Sequence, residues 1–379
     1  MKVASLKSVL LTSISMLLIL ISCNGTAQNK KDKEKPWKFV AFGDCRGHSA
    51  ENGVNVPVLK KLVDEIVKQD VDLVMFTGDI CYGHANRKDW GDQKALENLE
   101  EQMMTFRNTI EPLYQNKIKV YLVRGNHEAT QRYPDLPGTA DHRPIWPETK
   151  KIWDKVFSGT YQMPQNGPKG EKNVTFFAKH KNSLIVGLDV YTARDDRRNP
   201  DGSIPKPSTK TVNQKWLDTV LRENPKMHVF SFTHEPAFKA GHKDCLHGDM
   251  SYGLDYSRQR DQFWNRMYKA GSRVYFCGHD HGYATAAISN PNQNEPIYQM
   301  IVGTAGAGKN IEPVYDGYNS TYTIKPIDES KAYGFVIGEV DGNTVRMTYR
   351  YLNEENDSFA NRKQTIEYTR SYAKNSPSE

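Results

Sequence analysis

Five stretches of this 379-residue chain end an apolar run in an oxygen or imidazole donor. The run from Lys38 to Phe42 meets Gly43-Asp44, and the run from Leu73 to Thr77 meets Gly78-Asp79. Val120 to Val123 leads into Arg124-Gly125-Asn126-His127-Glu128, Val229 to Thr233 ends in His234, and Val274 to Cys277 ends in Gly278-His279-Asp280-His281. Each reads as a buried strand that delivers a polar side chain to the mouth of a sheet. An ionised Asp79 taken out of water is costly without a compensating charge, and no Lys or Arg lies between Val71 and His84. A metal ion is the natural partner. In open α/β sheets the ligand crevice lies at the carboxyl ends of the strands, so five such ends converge on one site.

Taken in order, Asp44, Gly78-Asp79-Ile80-Cys81-Tyr82, Gly125-Asn126-His127-Glu128, His234 and Gly278-His279-Asp280-His281 resemble the motif series of the calcineurin-like metallophosphoesterases, and within them the purple acid phosphatases. The resemblance runs from Trp37 to Leu352. It implies an α/β fold, a four-layer α/β/β/α sandwich of two mixed sheets. It also implies two metal ions, one held by Asp44, Asp79, Tyr82 and His281, the other by Asp79, Asn126, His234 and His279. Asp79 is the shared carboxylate, because cations about 3.5–4 Å apart need a bridging anion to offset their repulsion.

Most members of the superfamily have Asp-x-His as the first motif, whereas this chain has Asp44-Cys45-Arg46. With no His there, the Tyr82 phenolate fills the vacancy, and such a hard anionic ligand favours Fe(III). Zinc and manganese accept the same donor set. Arg46 stands where purple acid phosphatases usually carry Gly, and its planar fork suits a phosphate oxygen. The implied reaction is acid-phosphatase-like hydrolysis of a phosphate monoester on a phosphorylated small molecule. A hydroxide between the metals attacks phosphorus, and His127 acts as general acid on the leaving oxygen. Two alternatives stay open: a phosphodiesterase on nucleotides or glycerophosphodiesters, and a non-catalytic surface lipoprotein that binds metal or phosphate. His242 and His247 are further candidate substrate contacts, although a lone loop histidine is usually just solvated.

Two other motifs mislead. Gly303-Thr304-Ala305-Gly306-Ala307-Gly308-Lys309-Asn310 nearly matches a nucleotide phosphate loop, but Asn310 replaces the Ser or Thr that would hold magnesium. His127-Glu128 and His234-Glu235 each begin a zinc-protease helix motif without its second histidine.

The elements that must position these groups follow the pattern of apolar residues. Val56 to Gln69 and Gln93 to Leu113 are helical faces between the first three strands, which makes two strand-helix-strand units suited to parallel pairing. Helices are expected over 148–157, 212–222 and 257–270, and a hairpin over 174–189. Strands at 297–302, 334–340 and 345–351 are assigned to the second sheet. The loops at 129–147, 192–209 and 239–255 would shape the substrate pocket.

With 37% hydrophobic and 25% charged residues, the chain can bury a substantial core. The net charge of +6 welcomes anionic substrates, but no dense Lys/Arg block with interleaved aromatics supports a nucleic-acid grip. Residues 1–22 pair Lys2 and Lys7 with a short apolar core, the pattern of a cleaved export signal rather than a membrane span. Leu20-Ile21-Ser22-Cys23 resembles a bacterial lipobox, with Cys23 acylated. Residues 23–36 then form a polar tether, 37–352 the catalytic domain and 353–379 a polar tail. The only membrane contact expected is the lipid at Cys23, on a protein exported to the bacterial periplasm or the outer-membrane or cell surface. Cys45, Cys81, Cys245 and Cys277 allow three disulfide pairings, but small buried strand-end residues are the better reading.

Overall fold

Among the described residues thirteen strands form two mixed sheets, and their order puts the donor-bearing tips side by side. The computed structural model describes residues 35–83, 91–130, 146–192, 211–242, 246, 254–315 and 321–370. The export signal, Cys23, most of the tether, Cys245, His247 and much of the three pocket loops lie outside the described residues. The described residues belong to one compact unit, Glu34–Glu379.

The first sheet has the order β13-β12-β11-β1-β2-β3. Its members are β1 (Trp37–Phe42), β2 (Leu73–Phe76), β3 (Lys119–Leu122), β11 (Gly334–Asp341), β12 (Thr344–Asn353) and β13 (Ser358–Thr369). The second has the order β10-β8-β9-β7-β6-β5-β4. It contains β4 (Phe176–His180), β5 (Ser183–Gly187), β6 (His228–Phe232), β7 (Val274–Cys277), β8 (Tyr283–Ser289), β9 (Ile297–Val302) and β10 (Thr323–Ser330). The strands β1, β2 and β3 are parallel, as are β5, β6, β7 and β9.

Register explains the convergence. Phe42 pairs with Phe76 and Phe76 with Leu122, so Asp44, Asp79 and Asn126 all follow one transverse row by two to four residues. In the other sheet Phe232 pairs with Phe276, which places His234 and His279 just past the same edge. The sheets are locked face to face by aromatic side chains. Phe39 meets Phe230 at 4.6 Å and Phe276 at 5.9 Å between ring centroids.

Helices cover the outer faces. Helix α1 (Val56–Val67) begins at Asn55, whose side chain accepts from the Val58 amide, and buries Leu59, Leu62, Val63 and Ile66. Helix α2 (Asp92–Thr109) buries Leu99, Met103 and Phe106. The single helix expected over 93–113 is interrupted at Ile110. Pro112 has no N–H for the carbonyl of Asn108 and disfavours helical backbone before it, so a short α3 (Glu111–Gln115) follows. Helix α4 (Asn126–Ala129) opens the β3 tip, and α5 (Pro147–Val156) packs Trp153 into the core. On the second sheet lie α6 (Gln214–Glu223), which buries Leu217 and Val220, and α7 (Leu254–Lys269), which contributes Phe263 and Trp264. No helix among the described residues is long and apolar enough to cross a membrane.

Three expectations need correction. β11 and β12 belong to the first sheet, since β11 pairs antiparallel with β1 from Trp37↔Val340 to Ala41↔Val336. Apolar patterning shows that a segment is a strand but not which edge it joins. Residues 358–369 form β13 of the first sheet rather than part of a polar tail beyond the catalytic domain. This outer strand is polar because only one of its faces meets protein, and Ile366 is its one buried apolar residue. The hairpin over 174–189 does form, but it ends at Gly187, and Asp189 beyond it has another task.

That task is a buried ion pair between the two sheets. Arg124 Nε donates to Asp189 Oδ1 at 3.0 Å and Nη2 to Oδ2 at 2.9 Å, with both side chains almost fully buried. Burial alone would raise the Asp189 carboxyl, but the Arg124 guanidinium and the Thr192 donors hold it below the usual carboxylate range. The native state therefore binds this proton less readily than the unfolded chain. The stabilisation is present above about pH 4 and is lost as pH falls through the folded value. Arg124→Ala strands a buried carboxylate and is expected to lower stability by about 3–5 kcal/mol in denaturant unfolding at neutral pH. A loss under about 1 kcal/mol would contradict this reading.

Candidate metal centre

The tips of β1, β2, β3, β6 and β7 bring Asp44, Asp79, Asn126, His234, His279 and His281 together. Three of these six depart from ordinary backbone geometry. Asp44, Asp79 and His279 have φ values of 62°, 49° and 72°, in the left-handed region that non-glycine residues rarely occupy. Such conformations cost on the order of 1–3 kcal/mol each and persist where the surroundings fix them. Here the strand ends turn sharply to aim carboxylate and imidazole at one point. Glycines beside them let the chains approach. A Cβ on Gly125 would lie 2.0 Å from Asp79 Oδ1, and one on Gly278 would lie 2.1 Å from Asp44 Oδ2.

Four of the donors form a closed set. His234 Nε2 lies 3.0 Å from Asn126 Oδ1, 3.3 Å from Asp79 Oδ1 and 3.2 Å from His279 Nδ1, and His279 Nδ1 is 3.2 Å from Asn126 Oδ1. Ligands at 2.0–2.1 Å around a tetrahedral ion stand about 3.3–3.4 Å apart, so the spacing fits a cation. The chemistry of His234 points the same way. Its Nδ1 is 2.9 Å from the Thr77 carbonyl, which can only accept, so the proton sits on Nδ1 and the Nε2 lone pair faces inward. Burial pushes this imidazole below its ordinary pKa, which disfavours a second proton at Nε2. A lone pair surrounded by acceptor oxygens calls for a cation among them.

The second set is looser. His281 Nε2 lies 3.9 Å from Asp44 Oδ1, and burial together with Arg46 pushes the His281 pKa down to about 3. Asp44 takes the His279 amide on Oδ1 at 3.0 Å, while its fully buried Oδ2 has no hydrogen-bond partner. Asp44, Asp79 and His234 present ligand atoms within 4.8 Å of one another, so Asp79 borders both sets. Burial opposes ionisation of both carboxylates. Burial and the Asp79 charge push Asp44 well above the usual range, while His234, His127 and Arg46 hold Asp79 below it. Two carboxyls in so dry a site ionise together only beside cations, and these residues fit them. The Tyr82 ring lies beside His127, centroids 6.0 Å apart, and its amide donates to the Gly53 carbonyl at 2.6 Å.

The two candidate substrate groups flank Asp79 Oδ2. Arg46 Nε stands 4.0 Å away with its side chain a quarter exposed, and His127 Nε2 stands 3.8 Å away. His127 Nδ1 donates to the Tyr82 carbonyl, which fixes the ring and leaves Nε2 facing the site.

Several supporting residues escaped the sequence reading. Glu128 shows in the sequence only as part of its motif, yet its buried carboxylate ties three turns together. Oε2 accepts from the amides of Asp79 at 3.0 Å and Gly125 at 2.7 Å, and Oε1 from that of Cys81 at 3.2 Å. Burial and the Asp79 charge push its carboxyl up to about 8. Glu235 Oε2 faces His279 Nε2 at 3.7 Å, and Tyr191 donates to its other oxygen. Asp280, the variable position of the last motif, accepts from the amides of Gly241 and His242 at 2.9 and 2.8 Å and pairs with His242 Nδ1. This holds the His242 ring 4.5 Å from that of His279, so one of the two loop histidines does reach the site. The glycine-rich loop after β9 is structural. The Ala305 and Ala307 amides donate to the Gly43 and Asp44 carbonyls at 2.7 and 2.8 Å, so the loop underpins the β1 tip. Cys45, Cys81 and Cys277 are buried free thiols.

The profile of calcineurin-like phosphoesterases matches residues 38–283, nearly two-thirds of the chain, and the chain belongs to that family. Its two mixed sheets and clustered ligands are those of a metallophosphoesterase. Among solved structures it resembles the purple acid phosphatase PPD1 from yellow lupin (Lupinus luteus) seeds, with a TM-score of 0.58 at 16% identity. That match covers 89% of this chain and 54% of the lupin protein, so the chain spans about half of its length. It also resembles PhoD, with a TM-score of 0.56 at 12% identity, over 89% of this chain and 70% of that one. At such identities the likeness is one of fold. No curated protein matches the chain.

Proposed function

We propose that this protein is a binuclear metal-dependent hydrolase of phosphate monoesters. The observation that carries the reading is the position of Asp79, whose Oδ1 faces His234 of the Asn126, His234 and His279 set and which also lies within 4.8 Å of a ligand atom of Asp44, the residue His281 approaches. Bound between these residues, metal ions would supply a Lewis acid and an activated water. The remaining work falls to the chain itself. Asp44, Asp79, Tyr82 and His281 would hold one ion, and Asp79, Asn126, His234 and His279 the other. Arg46 offers a guanidinium to the phosphoryl oxygens as charge develops on them.

His127 carries the proton for the leaving oxygen. The Tyr82 carbonyl takes its Nδ1–H and stabilises the imidazolium, so Nε2 can hold a proton and release it to a departing alkoxide. His242, oriented by Asp280, adds a second imidazole on the side of His279 and suits a substrate oxygen. The phosphatase name of the lupin neighbour supports the monoester reading.

Purified protein given p-nitrophenyl phosphate and bis-p-nitrophenyl phosphate tests it. Faster turnover of the monoester is expected. Preference for the diester would replace the reading with a phosphodiesterase. Hydrolysis of neither by metal-loaded protein would leave a binding protein only.

A further inference from the structure

We infer that Gln102, on α2 and outside every motif, is a positioning residue for His127. The inference rests on the proposed role of His127 as general acid. Gln102 is 4% exposed and grips the main chain of Gly83 at two points. Its Oε1 accepts from the Gly83 amide at 2.9 Å and its Nε2 donates to the Gly83 carbonyl at 3.2 Å, with a further bond from Nε2 to Asn98 Oδ1 at 2.5 Å. A carboxamide alone among side chains offers a donor and an acceptor matched to one residue's backbone in this way.

What Gln102 grips is the residue after Tyr82. Gly83 has φ +82°, and a Cβ there would lie 1.9 Å from the His127 carbonyl, so its main chain rests directly on His127. Tyr82 is held from the other side, its amide donating to the Gly53 carbonyl at 2.6 Å. Gly53 in turn lies against Gln102, where a Cβ would be 2.3 Å from Cγ. The Tyr82 carbonyl fixed by these contacts is the acceptor for His127 Nδ1. The peptide that sets the tautomer and tilt of His127 is thus located by one buried amide on a neighbouring helix. Catalytic geometry is sensitive at this scale, since a misplacement of about 1 Å can cost on the order of 10²-fold.

A merely structural glutamine would, when lost, lower stability or slow all substrates alike. A positioning glutamine acts through proton delivery, so its loss depends on the leaving group. Poor leaving groups need the proton, whereas strongly acidic phenols depart without it. The experiment compares wild type, Gln102→Leu, Gln102→Glu and His127→Ala, each as full metal-loaded chain, on phenyl phosphate and 2,4-dinitrophenyl phosphate. For Gln102→Leu the expected result is a kcat loss of about tenfold or more on the phenyl ester, a change of less than about threefold on the dinitrophenyl ester, and unchanged metal content. Gln102→Glu keeps the shape and the acceptor for the Gly83 amide but turns the donor into an acceptor, so it is expected to show the same selectivity.

If His127→Ala slows both esters equally, the general-acid reading fails and this inference with it. If His127→Ala is selective but the Gln102 variants lose both activities equally or neither, only the role of Gln102 is overturned. Failure of both Gln102 variants to fold would likewise assign Gln102 to stability and overturn the inference.

Discussion

Asp79→Asn is expected to lower turnover of an activated aryl phosphate by on the order of 10³-fold or more, the largest effect of any single substitution considered. Metal ions contribute several kcal/mol of transition-state charge stabilisation, and each 1.36 kcal/mol is about tenfold in rate. Asp79 is the residue through which both sets of donors meet. Its Oδ1 faces His234 Nε2 at 3.3 Å and takes the His127 amide at 3.2 Å, while Oδ2 faces Arg46 and His127 Nε2. Asparagine keeps the shape and one oxygen but removes the charge that a shared ligand must supply. The Glu128 brace uses the Asp79 backbone amide, so the turn itself survives the substitution. The fold should stay intact, as checked by an unchanged circular dichroism spectrum of the chelator-treated protein. Full retention of turnover in Asp79→Asn would refute the assignment.

The second large effect belongs to His127→Ala. A positioned general acid typically contributes about 10²–10⁴-fold, and a loss of that size is expected on phenyl phosphate. On 2,4-dinitrophenyl phosphate the loss should shrink to a few-fold, because that phenolate leaves unprotonated. The geometry behind this is specific. His127 is the first residue after Asn126, its side chain is 10% exposed, and its Nδ1 is occupied by the Tyr82 carbonyl. Only Nε2 therefore faces the site. Equal loss on both esters, measured as kcat at saturating substrate, would show that His127 serves binding or structure instead.

Much of this arrangement was legible in the sequence because strand periodicity and donor chemistry coincide. An apolar run that stops at Asp44, Asp79 or His234 announces both a buried strand and a polar tip. The same signal misleads at Asp189, where a similar run ends in a carboxylate that pairs with Arg124 rather than a metal. Nothing local separates the two cases, since the partner is 65 residues away. Gln102 did leave a trace. It sits three residues after Leu99 and four before Phe106, a polar side chain on the buried face of α2, and such a residue needs hydrogen-bond partners. The placement of β11 beside β1 was not readable, because pairing across nearly 300 residues depends on packing rather than local pattern. His242 reads as an ordinary loop histidine because the Asp280 that holds it is 38 residues away.

The most direct test of a two-cation cage is the metal content of the purified full chain, set beside that of Asp79→Asn, after equilibration with zinc, manganese or iron and removal of loosely bound ions. Two ions per chain in the wild type, with at least one lost from Asp79→Asn, is the predicted result. A wild type that retains no metal, or a variant that keeps both ions, would contradict it.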